Sequence, residues 1–443
     1  MILPRLVGCV VSFTPLWILP GAYAQNRSTI DAAFEKFLAA DSPEAASQLA
    51  GPIEKAGVSF DDAVERLKQG RAYTAQKTGV FLLKNRTADG TQHYYYVNIP
   101  PAYDPGRRYQ VRFQLHGGIG ARTDNRPRGS GEIGTLAGAE QIYVLPYAWE
   151  QAPWWGDDQV LNLSTIVDTL KRTYNVDENR VVVAGVSDGA TGAYYIAMRD
   201  TTPYASFLPL NGFLLVLASD EIEDGLIFPN NLRVKPLFVV NGGLDRLYPL
   251  ALVEPFTRHL MRGSAAIDYH PQLEGEHNTK WWPEVEPLFE KFVADHPRDP
   301  DPDRLTWEAA DLKHNRAHWL VIDQYGVAES EAQSLPDLNL IQRGEDSGAP
   351  EGPMFRKSKN AGRVDLVRRG NRVEATTAGV TAFKLLLSPD KFDFNRPIQV
   401  VANGREVFHG RLERSVKTLL KWAARDNDRT MLYAAELPIH LAR

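Results

Sequence analysis

Apolar residues recur along this chain with two different periods, and the change of period marks its parts. Over residues 27–72 the spacing is helical, with Ile30, Phe34, Phe37 and Leu38 on one face. Ser42-Pro43 reads as an N-cap with Pro at the first helical position. Ser59 with Asp62 caps a further helix that stops near Gly70. This helical lead-in is expected to pack on the domain that follows it. From Thr78 the runs become short and strand-like: 80–83 and 93–97 predict two strands joined through an Asp89-Gly90 turn. Apolar strands at 111–115, 141–145, 180–184, 237–240 and 266–273 then alternate with helical stretches at 162–174, 189–198 and 282–292. Alternation of this kind predicts a mostly parallel sheet flanked by helices.

The pattern breaks at His296-Pro297-Arg298-Asp299-Pro300-Asp301-Pro302-Asp303, where alternating Asp and Pro cannot continue a helix and predict a stiff linker. Read as a calcium loop, these aspartates lack the tight-turn glycine. Past Arg304 the pattern is mostly strand, at 318–322, 363–367, 372–376, 382–387 and 398–401. Turns fall at Arg369-Gly370-Asn371 and Asn403-Gly404, and one helix at 415–425 interrupts. Residues 328–360 are polar and predict a long loop. The organisation expected is a segment 1–24 set apart, a helical segment 25–77, an α/β domain 78–297, a linker 298–303 and a β-sandwich-type domain 304–443, with no internal repeat.

Composition adds exclusions. A chain of 443 residues, 43% hydrophobic and 24% charged, has material for two or three packed domains and excludes wholesale disorder. A net charge of −5 argues against nucleic acid as the main partner. The single cysteine, Cys9, excludes a disulfide framework and a Cys-rich metal site. Residues 1–24 carry a basic start, an apolar run and Ala22-Tyr23-Ala24, the three parts of a secretory signal peptide. The run is too short for a membrane span. A lipobox reading of Leu6-Val7-Gly8-Cys9 is disfavoured, because almost no apolar segment precedes Cys9. Cleavage after Ala24 would leave a secreted or periplasmic chain without cysteine.

The candidate chemistry centres on Gly185-Val186-Ser187-Asp188-Gly189. An apolar strand runs into it and a small-residue helix leaves it. A sharp strand-to-helix turn exposes a serine Oγ, and flanking glycines let backbones approach closely. His116-Gly117-Gly118-Ile119-Gly120 follows a strand and can present backbone N–H groups to an oxyanion, with the Asp188 N–H as second donor. His116 itself reads as structural. A serine needs a base, and the base an orienting acid. Asp245 and His277 follow Ser187 in the order expected for this layout, each just past an apolar strand. His259 and His270 compete as base, and Asp220 and Asp224 as acid.

These segments, with LFVVNGGLDRLYP and LEGEHN in the same order, resemble the α/β-hydrolase fold over about residues 78–295. The branch resembled is that of secreted bacterial esterases and predicted peptidases similar to polyhydroxybutyrate depolymerases, feruloyl esterases and dienelactone hydrolases. The resemblance implies Ser187 as nucleophile, Asp245 as acid, His277 as base, and the Gly117–Gly118–Ile119 loop with Asp188 as oxyanion hole. HGGIG replaces HGGG, which leaves the donating loop N–H open between Gly118 and Ile119.

The expected function is ester hydrolysis through an acyl-enzyme on a small or polymer-linked ester. A serine peptidase of the prolyl-oligopeptidase kind and a catalytically dead binding scaffold are the alternatives. Serine acyl transfer needs no cofactor, and no metal or nucleotide motif is present in the sequence. Trp154, Trp155, Trp281 and Trp282 are candidate substrate walls, or packing residues. Arg122, Arg126 and Arg128 could meet an anionic substrate group, or simply be solvated.

Overall fold

The computed structural model describes residues 20–87, 90–126, 140–218, 227–263, 266–326 and 361–441. The basic and apolar parts of the expected signal peptide, Asp89, Arg128, Asp220, Asp224 and the 328–360 stretch lie outside them.

Three helices lead in: α1 (Pro20–Ala39), α2 (Pro43–Lys55) and α3 (Phe60–Gln69). The Ser42 and Ser59 hydroxyls accept from the Ala45 and Asp62 N–H groups, the caps the sequence predicts. Eight strands follow: β1 (Gly79–Arg86), β2 (Gln92–Ile99), β3 (Tyr109–Leu115), β4 (Gln141–Pro146), β5 (Val176–Val186), β6 (Ser206–Leu210), β7 (Leu237–Val239) and β8 (Ile267–Tyr269). Between and after them run α4 (Asp157–Thr173), α5 (Asp188–Arg199), α6 (Leu250–Gly263) and α7 (Trp282–Asp295). The strands form one sheet in the order β1-β2-β4-β3-β5-β6-β7-β8, in which β2 alone runs against the rest. This is the mostly parallel, helix-flanked sheet that the alternation of strands and helices predicts.

Alternate residues of β5 serve opposite faces, as strand geometry requires. Val181 and Val183 join a core with α4, α5 and α6, while Val182 and Ala184 pack with Phe289 and Phe292 of α7. The sheet is therefore covered on both sides, and its strands read as nearly continuous apolar runs. Within this sheet the strand that escapes the sequence reading is β6, which is five residues and contains Pro209. Proline demotes a strand pattern, yet here only its carbonyl is used, accepting from the Val240 N–H. The 266–273 strand is shorter than expected, because the chain leaves the sheet after Tyr269 to form the loop that carries His277.

The C-terminal part holds β9 (Arg304–Ala309), β10 (Arg316–Ala317), β11 (Leu320–Tyr325), β12 (Gly362–Arg369), β13 (Arg372–Ala378), β14 (Val380–Leu387), β15 (Ile398–Ala402), β16 (Arg405–Gly410), α8 (Val416–Asp426) and β17 (Ala435–His440). They form a four-stranded and a five-stranded sheet, largely antiparallel, with β13 and β15 parallel. Trp307, Leu366 and Val400 from one sheet share a core with Ile322, Phe383 and Leu437 from the other, a β-sandwich. Asn403 and Gly404 at positive φ turn the β15–β16 hairpin.

Two expectations about packing are corrected. The lead-in helices close their core on Leu419, Leu420, Ala423 and Ala424 of α8 rather than on the sheet that follows them. The 296–303 segment is not a free spacer. Arg298 and Asp301 are buried, and Arg298 bonds Asn179, the Thr202 carbonyl, Asp428 and Thr430. Its alternating prolines stop a helix, as expected, but its charges are partnered across the contact between the two parts.

Candidate active site

The turn from β5 into α5 is built by glycine. A Cβ on Gly185 would fall 2.0 Å from the Gly189 carbonyl oxygen, and one on Gly189 would fall 2.0 Å from the Leu115 carbonyl oxygen. No larger residue allows this crossing of helix over strand. Ser187 between them sits at φ 57°, ψ −120°, a left-handed conformation rare for a residue with a side chain. Its N–H donates to the Leu210 carbonyl at 3.0 Å, which pins the turn to β6.

His277 lies beside Ser187. Its Nε2 is 2.8 Å from the Ser187 Oγ, and its Nδ1 is 2.6 Å from the Asp245 Oδ2. An ionised carboxylate only accepts, so Nδ1 carries the hydrogen and Nε2 is left to take the serine proton. Asp245 is 3% exposed, and its Oδ1 accepts from the N–H groups of Leu247 and Tyr248 at 2.8 and 3.0 Å. Those bonds fix the carboxylate. The Tyr248 ring meets His277 edge-on at 5.3 Å. Burial, with the charges of Asp188 and Asp245 behind it, pushes the Tyr248 hydroxyl up to about 12, so it stays a neutral donor.

The competing bases lie elsewhere: His259 is on α6, and His270 stacks on Phe238 at 4.6 Å.

The candidate oxyanion loop is held through the His116 imidazole. The Ala148 N–H donates to His116 Nε2 at 3.1 Å, which leaves Nδ1–H to donate to the Gly117 carbonyl at 3.0 Å. His116 is thus structural. The Gly117 carbonyl points at the imidazole, so the trans N–H of the same peptide, on Gly118, points the other way. Gly117 packs so close to the nucleophile that a Cβ there would fall 2.9 Å from Ser187 Cβ. Gly118 has φ 65° and lies open. The Ile119 N–H is not free for an oxyanion, because it donates to the Asp188 Oδ2 at 2.9 Å, and the Ile119 side chain is buried. Among the described residues the Gly118 and Asp188 N–H groups have no acceptor. They are the donors left, Asp188 as the first residue of α5.

The tryptophans are corrected in part. Trp154 is fully buried: its Nε1–H donates to the His116 carbonyl at 2.8 Å, and its Cβ lies where a Cβ on Gly192 would come within 2.4 Å. It wedges the oxyanion strand against α5 and faces no substrate. Trp281 is 6% exposed and backs the His277 loop at Gly275. Trp155 packs on the main core and Trp282 on Phe289, both half-buried. Of the arginines, Arg122 stacks on Tyr147 at 4.9 Å and Arg126 is exposed.

One positioning residue has no signal in the motif reading. Asn211, at φ 52°, ends β6. Its Nδ2 donates to the Asn278 carbonyl at 2.8 Å and its Oδ1 accepts from the Gly242 N–H at 3.2 Å. It ties the base loop and the acid loop to the strand beside the nucleophile. The Asn-Gly dipeptide at 211–212 marks a turn, but nothing local says what it touches.

Among the described residues no cluster of His, Cys, Asp and Glu could hold a metal ion, and no helix is long and apolar enough to cross a membrane.

No family model matches this sequence, and no curated protein is significantly similar to it. Solved structures match about half of it at low identity. A thermostable esterase is 18% identical, over 49% of this chain and 63% of that one, with a TM-score of 0.39. A ferulic acid esterase is 16% identical, over 50% of this chain and 99% of that one, at 0.39. The dipeptidyl peptidase 4 of Porphyromonas gingivalis is 15% identical, over 54% and 38%, at 0.39. This chain thus spans less than two thirds of the first and the third. Likeness at this level assigns no residue a role.

Proposed function

We propose that this chain is a serine hydrolase that cleaves carboxylic esters through an acyl-enzyme, outside the cytoplasm, with its first 24 residues removed as a signal peptide. The observation that carries the reading is the unbroken Asp245–His277–Ser187 relay, at 2.6 and 2.8 Å, on a strained turn. His277 Nε2 takes the Ser187 proton as Oγ attacks the ester carbon. The Gly118 and Asp188 N–H groups receive the charge that develops on the carbonyl oxygen. His277 then protonates the leaving alcohol, water attacks the acyl-enzyme with His277 again as base, and the acid leaves. Buried Asp245 holds the imidazole in the required tautomer and stabilises the imidazolium.

The test is turnover of p-nitrophenyl esters beside peptide p-nitroanilides, with a fluorophosphonate probe on the same samples. Wild-type protein is expected to hydrolyse the esters and take the label. Ser187→Ala should lose both, with turnover down by about 10⁴-fold or more. Cleavage of amides but not esters would move the reading to a peptidase. A wild-type protein that neither turns over nor labels is a binding scaffold. N-terminal sequencing of exported protein is expected to begin at Gln25.

A further inference from the structure

We infer that the Asp188 carboxylate is a positioning residue: it fixes the oxyanion loop by accepting the Ile119 N–H, while its own backbone N–H serves as the other oxyanion donor. What the loop stabilises rests on the esterase reading above; the bond itself does not.

The 118–121 segment is otherwise held by the buried Ile119 side chain and by a single turn, in which the Arg122 N–H donates to the Ile119 carbonyl at 2.9 Å; neither fixes the peptide that joins Gly118 to Ile119. The segment contains Gly118 and Gly120, which lose much freedom on ordering. Gly118 is in the left-handed region, and Gly120 has nothing within 4 Å of where a Cβ would stand. His116 clamps the peptide before Gly118 through the Gly117 carbonyl. Asp188 clamps the peptide after it, at 2.9 Å. The Gly118 N–H belongs to the first of these peptides, and the second fixes the chain on the other side of the Gly118 Cα, so the left-handed turn at Gly118 is held from both sides. The carboxylate is well placed to act this way. It sits in the first turn of α5, where a negative charge is favoured by the helix N-terminus, and a charge-assisted bond to an amide is about twice as strong as a neutral one. The arrangement also couples the two donors. Any shift of the β5–α5 turn moves the Asp188 N–H and, through its side chain, the loop that carries the Gly118 N–H. An oxyanion hole acts only when its donors are fixed before charge develops.

Three substitutions and two readouts test this. Asp188→Ala removes the acceptor. Asp188→Glu keeps the charge but moves it by one methylene. Asp188→Asn keeps an acceptor oxygen in place. With a soluble p-nitrophenyl ester, kcat is expected to fall by about 10–100-fold in Ala and Glu, a fraction of the 10²–10³ that follows loss of a whole donor. KM should stay within about threefold, because the hole acts on the transition state. Inhibition by an aryl boronic acid, which takes the tetrahedral form on Ser187, should weaken by the same factor as kcat/KM. Asn should restore kcat to within a few-fold of wild type. The second readout is amide hydrogen exchange at Ile119, slow in wild type and Asn, fast in Ala and Glu, whatever the enzyme does. Wild-type kcat in Ala or Glu, Asn as impaired as Ala, or unchanged exchange at Ile119 in Ala would each overturn the inference. Should Ala fail to melt cooperatively, Glu and Asn decide alone. Ser187→Ala run alongside reports separately on the esterase reading: if it retains turnover, that reading fails while the exchange result still stands.

Discussion

Ser187 holds φ 57°, ψ −120°, a backbone state that costs of order 1–3 kcal/mol and persists only where surroundings over-determine it. Gly185 and Gly189 supply that constraint, and it is visible in the sequence because glycine is the residue that fits such a crossing. Ser187, Asp245 and His277 were legible because each lies in the connection that follows a strand of the sheet, Ser187 directly after β5 and the others in the loops after β7 and β8. Asn211 was not legible. Its partners lie at Gly242 and Asn278, and no local pattern encodes contacts that distant in the chain. Trp154 was misread by the same gap, since proximity in sequence to a site says nothing about which way a ring points. Asn211 gives a sharp expectation. Asn211→Gly keeps the positive φ at no steric cost and deletes both side-chain bonds. Turnover of small esters should fall by about 10-fold, from loss of near-attack geometry at His277, with the melting temperature lowered by only a few degrees. Wild-type kcat in this variant would show that the base loop holds itself.

At the scale of elements, alternation of strand and helix survived from sequence to structure, while several five- and six-residue strands did not. β6, β9, β16 and β17 were missed because a five- or six-residue run carrying Pro209, Glu308, His409 or Pro438 matches no clean period. The 296–303 segment was expected as a spacer on composition alone; its burial depends on the Asn179 and Asp428 partners of Arg298. One of its acids carries a pH signature. Asp301 is 4% exposed, and burial, then the neighbouring Asp299 charge, push its carboxyl up to about 7 against the opposing pull of Lys391 and Arg298. In the unfolded chain it titrates near 4. Between roughly pH 4 and 7 the folded state therefore holds a proton that the unfolded state has released, and stability falls as pH rises through that window. Asp301→Asn removes the titration and keeps the shape. Its melting temperature relative to wild type should climb from pH 5 to about pH 7 and level off by pH 8. An offset that stays constant over that range would mean the carboxyl is not held protonated.

For the whole molecule, the bonds between the sandwich and the α/β sheet gather at the end of β5 farthest from the nucleophile. Arg429 bonds Asn175 at 2.9 Å and Glu178 at 3.0 Å, Arg298 donates to the Asn179 carbonyl at 2.8 Å, and Lys171 donates to the Asp426 carbonyl at 2.7 Å. Ser187 follows the other end of the strand, roughly 20 Å away at the usual rise per residue, since Val176–Gly185 runs alongside Tyr109–Leu115. His314 reaches farther along, to Asp157 at the start of α4. Much of the docking thus lies away from Ser187, which supports a proposed division of labour in which the sandwich serves stability or attachment. It does not make the sandwich dispensable. Lys171, Glu178 and Asp428 are all buried, and a buried charge that loses its partner costs about 3–5 kcal/mol. The lead-in helices would also lose α8, the wall of their core. A chain stopped after Pro297 is therefore expected to be insoluble or to melt without cooperativity, with stability losses of order the 5–15 kcal/mol a domain has in total. The milder change separates the two roles: Arg429→Gln in the full chain should lower the melting temperature by several degrees, leaving kcat and KM for a soluble ester at 25 °C within about twofold, since sites so far apart act independently. Loss of turnover in a variant that still melts cooperatively would show that the sandwich edge of β5 and the Ser187 edge are coupled, and the division of labour would fall.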